Sequence, residues 1–406
     1  MNSTTLRFNK YLPPAILYFF LNGFLLPVGL LYTTLLTPVL LFWIARYQNI
    51  KVVLVYFGLV LPFVIAHAMN GIDDGSFYLA SFALCFTVFV FCVAFYQYLQ
   101  FCQSLRYIYK KILLINAIMV LVSLVFLFLP SLRFLFWNNN TLSLGPVELQ
   151  RLKMLTYEPS YYSTLFAPIA LYYLLKVARR ELPRPALYCA LVLIPLFLSL
   201  SFGVILGIAL TLFLLLILHG RTLILHSRNR RYFIAGALVA AAALAFVLLF
   251  SPDNVFFRRL QNIAAGRDGS FNGRTFDSFI LSMNIARKKS LFFGAGFGQV
   301  KALGLDLFRK FYRTNKFTIH DIAIPNSIGD LLATLGLLGV GLKLYLELFF
   351  FFRTRVFSNY YRLALFLFIF AYQFTGSFIT NIAEYAIWIM AFKPGLFPEF
   401  DKKSVS

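Results

Sequence analysis

Residues 77–99 read FYLASFALCFTVFVFCVAFYQYL, a run without a single charge. Wound as a helix at about 1.5 Å per residue, such a run is as long as the hydrocarbon core of a bilayer is thick. Its apolar side chains fall on every face, the pattern of a helix with no watery side. Similar runs recur from Tyr11 almost to the C-terminus, and the 406-residue chain is 60% hydrophobic and 13% charged, with a mean hydropathy of +0.78. That composition excludes a water-soluble globular protein. The expected fold is all-α, a polytopic membrane protein forming one integral membrane domain over residues 1–406.

Apolar length places twelve spans, at 12–27, 29–45, 52–68, 77–99, 112–130, 161–177, 186–200, 202–218, 232–250, 327–352, 363–378 and 379–392. The first follows Arg7 and Lys10 as a secretory signal would, but no small-residue cleavage site precedes the next span, so it reads as a retained helix. Short basic loops alternate with loops poor in base: Arg46 and Lys51; Arg106, Lys110 and Lys111; Lys176, Arg179, Arg180 and Arg184; Arg221 to Arg231; Arg353, Arg355 and Arg362. Lys and Arg hold loops on the cytoplasmic side, which puts both termini there.

The net charge of +22 sits in these short clusters rather than on one soluble face, so nucleic acid is not an expected partner and anionic membrane lipid is. Cys85, Cys92 and Cys189 fall in spans and Cys102 just beyond one, which suits packing rather than a disulfide or zinc site.

Two segments remain for the outer side, 131–160 and the larger 251–326. The larger carries twelve Lys and Arg against five Asp, basic where positive charge is usually scarce. Long loops translocate whatever their charge, so a plain solvated surface accounts for this as well as a site for a phosphate-bearing ligand does. Within it, Phe276, Phe279, Ile280 and Met283 recur at helical spacing and predict an amphipathic helix over 275–289, with Arg274 at its start and Arg287, Lys288 and Lys289 at its end. Basic residues there also complement the helix dipole. The run Gly294-Ala295-Gly296-Phe297-Gly298 follows no strand, so it reads as a tight turn allowing close backbone approach rather than a nucleotide loop.

In the smaller segment Pro159 suits a first helical turn, which makes Glu158 the cap residue, with Tyr157, Tyr161 and Tyr162 at the interface. A cap beside an aromatic belt is one account of these residues. Recognition of sugar and diphosphate by Arg151, Glu158 and the tyrosines is the other. Between the seventh and eighth spans, Leu198-Ser199-Leu200-Ser201-Phe202-Gly203 leaves no room for a loop, so two short helices meet there in a dent. Asp330 and Glu384 lie near the outer ends of their spans, Lys343 and Glu347 form an i, i+4 pair expected to snorkel to the cytoplasmic side, and the turn near His67, Asp73 and Asp74 reads as structural.

Four stretches carry a resemblance: YEPSYYS at 157–163, LSLSFG at 198–203, NGRTFDSF with FFGAGFG at 272–298, and PNSIGDLLATLGLLG at 325–339. In order and spacing they resemble the O-antigen polymerase and O-antigen ligase superfamily of membrane glycosyltransferases. The resemblance implies a GT-C-like bundle of about twelve transmembrane helices with one long extracytoplasmic loop, in a bacterial inner membrane, its active site facing the periplasm. The implied reaction polymerises undecaprenyl-diphosphate-linked oligosaccharide repeat units, releasing undecaprenyl diphosphate, with lipid-linked donor and acceptor as partners, a chain-length regulator as a further one, and neither cofactor nor metal. Pro325 stands where the ligases carry histidine and Thr334 where they carry glutamate, which favours a polymerase over an O-antigen ligase.

As the donor's C1–O bond breaks, negative charge builds on the leaving diphosphate, and arginine stabilises it. Arg274 is the first candidate, then Arg151 and Arg287, with Lys288 and Lys289 attracting the anionic lipid and Asn326 in the place of the family's asparagine. A base for the acceptor hydroxyl is sought in Glu158 or His320, though a lone loop histidine is as often an ordinary surface residue. The rival reading is a flippase for the same lipids. It would require repeated sets of spans and charges along the bundle's midplane, and the sequence shows no internal repeat.

Overall fold

The computed structural model describes residues 10–27, 30–47, 50–102, 104–138, 142–144, 147–224, 261–266 and 268–402. The expected span 232–250 lies outside them. Five described helices are long and apolar enough to cross a membrane: Val52–Met69, Gly75–Cys102, Arg106–Phe126, Phe202–Gly220 and Ser327–Arg353. Shorter apolar helices run over Leu12–Leu21, Pro185–Ser199, Tyr360–Tyr372 and Ile382–Phe392. Leu54, Leu121, Phe213 and Ile217 are each more than half exposed on long helices, a surface suited to lipid rather than water. This is the make-up of a helical membrane protein.

At the centre stands the Pro159–Ala178 helix, whose Ala167, Ile169, Ala170 and Leu171 have no exposed surface. It packs against the Pro185–Ser199, Phe202–Ile224, Tyr360–Tyr372 and Ile382–Phe392 helices. Helices in lipid gain little by hiding apolar surface from water, so packing and interhelical hydrogen bonds must hold them, at roughly 1 kcal/mol per bond. Such bonds run from the Tyr361 hydroxyl to the Pro168 carbonyl at 2.9 Å and from the Tyr162 hydroxyl to Asn116 Oδ1 at 2.8 Å. Buried Ser163 and Thr164 donate one turn back to the Pro159 and Ser160 carbonyls and so carry no unmet polarity.

One end of this bundle gathers ion pairs. Arg179 Nε lies 2.9 Å from Glu181, and the Tyr172 hydroxyl and the Arg179 guanidinium both bond Glu399. Buried Arg362 donates to the Ala391, Phe392 and Thr354 carbonyls, closing the C-terminal ends of two helices. The N-terminal end of the Pro159 helix and the C-terminal end of the Tyr360 helix lie at the opposite end, where the chain builds something different.

There the Ser327–Arg353 helix breaks. Gly336 has φ 67° and ψ −166°, so two helices meet at a kink within this apolar segment. Lys343 Nζ donates to Ser327 Oγ at 2.9 Å although sixteen residues, about 24 Å of straight helix, would separate them. The short leg therefore folds back on the long one. The glycine run inserts beside the break. Ala295 and Gly296 donate to the Ala333 and Thr334 carbonyls, and Leu337 and Leu338 donate to the Leu291 and Phe292 carbonyls. Gly294 has φ 78°, and a Cβ on it would sit 2.4 Å from the Thr334 oxygen. Irregular backbone is thus satisfied by other backbone, the condition under which it survives at membrane depth. The expected tight turn is present, and its partner is the second glycine motif.

Residues 268–326 form a cap with its own small core of Leu281, Ile285, Val300, Phe308, Ile322 and Ile324. The expected amphipathic helix is Phe276–Arg287, but its faces are reversed: Phe276 and Ile280 are exposed, while Ser278, Leu281, Ser282, Ile285 and Ala286 are buried. Small residues four apart let its backbone approach the short leg closely, and Ser282 sits against Gly329. Gln299 clamps the cap to the 70–74 turn. Its Oε1 accepts from the Asp73 and Asp74 amides at 3.0 Å each, and its Nε2 donates to the Asp74 carbonyl. His67 joins the same clamp through Nε2, which must carry the hydrogen to donate to the Phe293 carbonyl at 2.8 Å, leaving Nδ1 to accept from Tyr78. The turn read as structural is one.

Candidate functional site

Between cap and bundle lies a cavity of about 470 Å³. Its walls come from several distant places in the chain, and they include Tyr157, Glu158, Tyr161, Arg274, Lys301, Asp330 and Tyr372. A second cavity, of about 530 Å³, is lined almost wholly by apolar and aromatic side chains such as Tyr18, Phe91 and Phe95. It offers grease but no opposed charges, so the chemistry belongs to the first.

Arg274 ends the short Gly269–Arg274 helix, which Asp268 caps by accepting from the Phe271 amide at 2.8 Å. Asn326 fixes the arginine's backbone. Its Nδ2 donates to the Arg274 carbonyl at 2.7 Å while its Oδ1 caps the short leg by accepting from Gly329. Among the described residues the half-buried guanidinium itself has no hydrogen-bond or ion-pair partner. A held backbone and an open cationic head are the features that an anion site requires.

Glu158 is the cap residue of the Pro159 helix by backbone, φ −150° and ψ 141°, yet its carboxylate does not cap. It accepts instead from the Ser160 hydroxyl and lines the cavity. Tyr157 and Tyr161 stack with centroids 4.7 Å apart, and Gly23 leaves room for the Tyr157 ring. Burial, then the neighbouring Tyr161 and Glu158, pushes the Tyr157 hydroxyl well above its ordinary range, so it remains a neutral donor. Tyr372 lies within electrostatic reach of both Arg274 and Glu158. A carboxylate and a guanidinium thus face one space.

The other candidates lie elsewhere. Arg151 Nε donates to the Ser199 carbonyl at 3.3 Å, and Leu152 donates to Leu198, so this part of the smaller segment closes the 198–203 turn, and Arg151 does not line the cavity that Tyr157 and Glu158 enter. Arg287 is exposed and outside the lining. Lys288 donates to the Leu303 carbonyl at 2.9 Å, and Lys289 pairs with Asp73 at 3.0 Å, so both tie the cap together. His320 is exposed and does not line the cavity, although Ile322 to Pro325 do. Lys343 does not snorkel away with Glu347: it is 2.5 Å from Glu384 and 4.0 Å from Glu347, because the fold-back turns it inward.

Lys301 was not singled out from the sequence and lines the cavity beside Arg274, its ammonium 5.8 Å from the Phe77 ring. Its position on the Gln299–Tyr312 helix looks like any amphipathic surface lysine until the glycine turn aims that helix inward. Asp330, expected near the outer end of its span, does line the cavity and accepts from the Ile379 amide at 3.1 Å. No protein-family model and no curated protein matches the chain.

Proposed function

We propose that the chain is a polysaccharide polymerase of the inner membrane, joining undecaprenyl-diphosphate-linked repeat units at the periplasmic face. One observation carries this reading. Arg274, without a hydrogen-bond or ion-pair partner among the described residues, and Glu158, not used as a cap, come from distant segments to one cavity beside stacked tyrosines. Those segments are the ones that resemble the polymerases. The twelve-span topology with cytoplasmic termini belongs to the same proposal, and the gathering of Arg179, Arg362 and their partners at the end away from the cavity supports it.

In this reading Arg274 and Lys301 receive the donor's diphosphate and stabilise the charge that builds on it as the glycosidic bond breaks. Glu158 accepts the proton of the acceptor hydroxyl attacking C1. The Tyr157 hydroxyl and the stacked ring faces position the sugars. The proton and the diphosphate leave, and the new glycosidic bond remains.

The test is incubation of purified protein with a homogeneous undecaprenyl-diphosphate repeat unit, with products resolved by size. A ladder at repeat-unit spacing with released undecaprenyl diphosphate is expected. No ladder, with movement of the lipid across liposome membranes, would establish the flippase instead.

A further inference from the structure

Below the cavity lies a polar group that the proposed reaction does not use. Lys343 and Glu347 come from the long leg of the broken helix, Gln373 from the end of the Tyr360–Tyr372 helix, Glu384 from Ile382–Phe392 and Ser327 from the short leg. Glu384 and Gln373 have no exposed surface, and Glu347 is 5% exposed. One lysine faces two carboxylates here, so with every group ionised the cluster would hold an uncompensated negative charge away from water. That is a costly arrangement.

The hydrogen bonds say where it is relieved. Glu384 Oε1 receives both the Lys343 ammonium at 2.5 Å and the Ser327 hydroxyl at 3.2 Å, so the single lysine is spent on Glu384. Its Oε2 has no partner, and on the same helix one turn on, the indole N–H of Trp388 is an unpartnered donor, which again suits a carboxylate. Glu347 is different. The ammonium stands 4.0 Å away, and Glu347 Oε2 accepts from Gln373 Nε2 at 2.9 Å. Its other oxygen, Oε1, is the one the ammonium faces at 4.0 Å but makes no hydrogen bond, and neither does the other polar atom of the same amide, Gln373 Oε1. A carboxylate and an amide already joined by one hydrogen bond thus each keep a buried acceptor with no donor among the described residues.

We infer that Glu347 is a protonated carboxylic acid at neutral pH, paired with the Gln373 amide through two reciprocal hydrogen bonds, and that this proton latches the broken helix. The acid O–H donates to Gln373 Oε1, and the amide N–H donates to the acid's carbonyl oxygen. Both orphaned atoms are then satisfied by one proton, and the charges of Lys343 and Glu384 balance. Lys343 is left to Glu384 and Ser327, the contact that folds the short leg back and so sets Asp330 at the cavity and Asn326 against the Arg274 carbonyl. The titratable groups facing Glu347 are Lys343, on its own helix, and Glu384, from the Ile382 helix, with Asp330 beyond them on the short leg. Loss of the proton would add a second anion competing for Lys343 and would loosen that fold-back.

The test is infrared spectroscopy of the purified protein across a pH series, following the carbonyl stretch of protonated carboxylic acids with and without deuterium exchange. The wild type is expected to show such a band at neutral pH, and Glu347→Gln to lose it while keeping its melting temperature, since glutamine imitates the neutral acid. Glu384→Gln is expected to lose the band too, because Lys343 then has only Glu347 to balance it, and to melt several degrees lower. An unchanged band in correctly folded Glu347→Gln overturns the inference. So does a wild type without a band, which would mean an ionised Glu347 bridged to Gln373 by a water donating both hydrogens.

Discussion

Arg274 shows how far a residue-level reading reaches. An arginine between Gly273 and Thr275 in a greasy chain was legible as a candidate, because charge near a membrane face needs a reason. Its open guanidinium and its link to Asn326 were not, since nothing local in the sequence joins positions 274 and 326. Arg274→Ala is expected to lower chain growth by about 10²-fold or more, the scale of losing one donor to a developing charge, with protein level unchanged. Asn326→Ala should cost about 1 kcal/mol of stability for the lost cap and reduce kcat more than it raises KM, because it misplaces Arg274 without touching substrate. Steady-state kinetics with the lipid-linked unit separate the two. Lys288 and Lys289 teach the opposite lesson: their sequence context is that of a lipid-attracting pair, but Lys288 bonds the Leu303 carbonyl within the cap and Lys289 ties the cap to Asp73, a partner too distant in sequence to foresee.

Elements were read well where length and periodicity decide and poorly where packing does. The run 77–99 became the Gly75–Cys102 helix, and Pro159 opened its helix as its fixed φ requires. The apolar run 327–352 has the length and composition of a span, but its kink was not legible, because hydropathy does not register that Gly336 must take a positive φ to meet Phe292. The 275–289 helix was placed correctly and its face was not, since a stripe of Ser278, Ser282 and Ala286 buries by fitting closely rather than by being apolar. Gly294→Ala and Gly336→Ala should each unfold the cap, as a Cβ would lie 2.4 Å from backbone atoms at a positive φ. Gly269→Ala, with open space at its Cβ, is the control and should melt as the wild type does. A pH effect belongs to the helix start at Asp74, whose carboxyl is held below its ordinary range by the Ser76 hydroxyl and the Phe77 amide. Its contribution is present above the ordinary carboxylate range and lost as pH falls through the lowered value, and Asp74→Asn should flatten that part of the stability curve.

For the whole molecule, the architecture sets an ion-paired end against an end with a cavity, a broken helix and a cap. Alternating basic loops made the first end legible, through the rule that keeps Lys and Arg in the cytoplasm. The cavity was legible only as a set of motifs sharing one side, because its shape depends on the fold-back and on the Gln299 clamp. The proposed topology makes a direct prediction for cells. A cysteine at Asn315 should react with a membrane-impermeant maleimide in cells whose inner membrane is sealed, and one at Arg184 only after permeabilisation. The reverse pattern would invert the protein in the membrane and remove the periplasmic site.

The central claim is that a lipid diphosphate sits where Arg274 opens into the cavity, and a structure of the protein in lipid nanodiscs with undecaprenyl diphosphate tests it most directly. The account predicts phosphate oxygens within hydrogen-bond distance of the Arg274 guanidinium, Lys301 beside them and Glu158 across the cavity, with the density lost in Arg274→Ala. Diphosphate bound at the Arg179 end, or in the same place in Arg274→Ala, would contradict it.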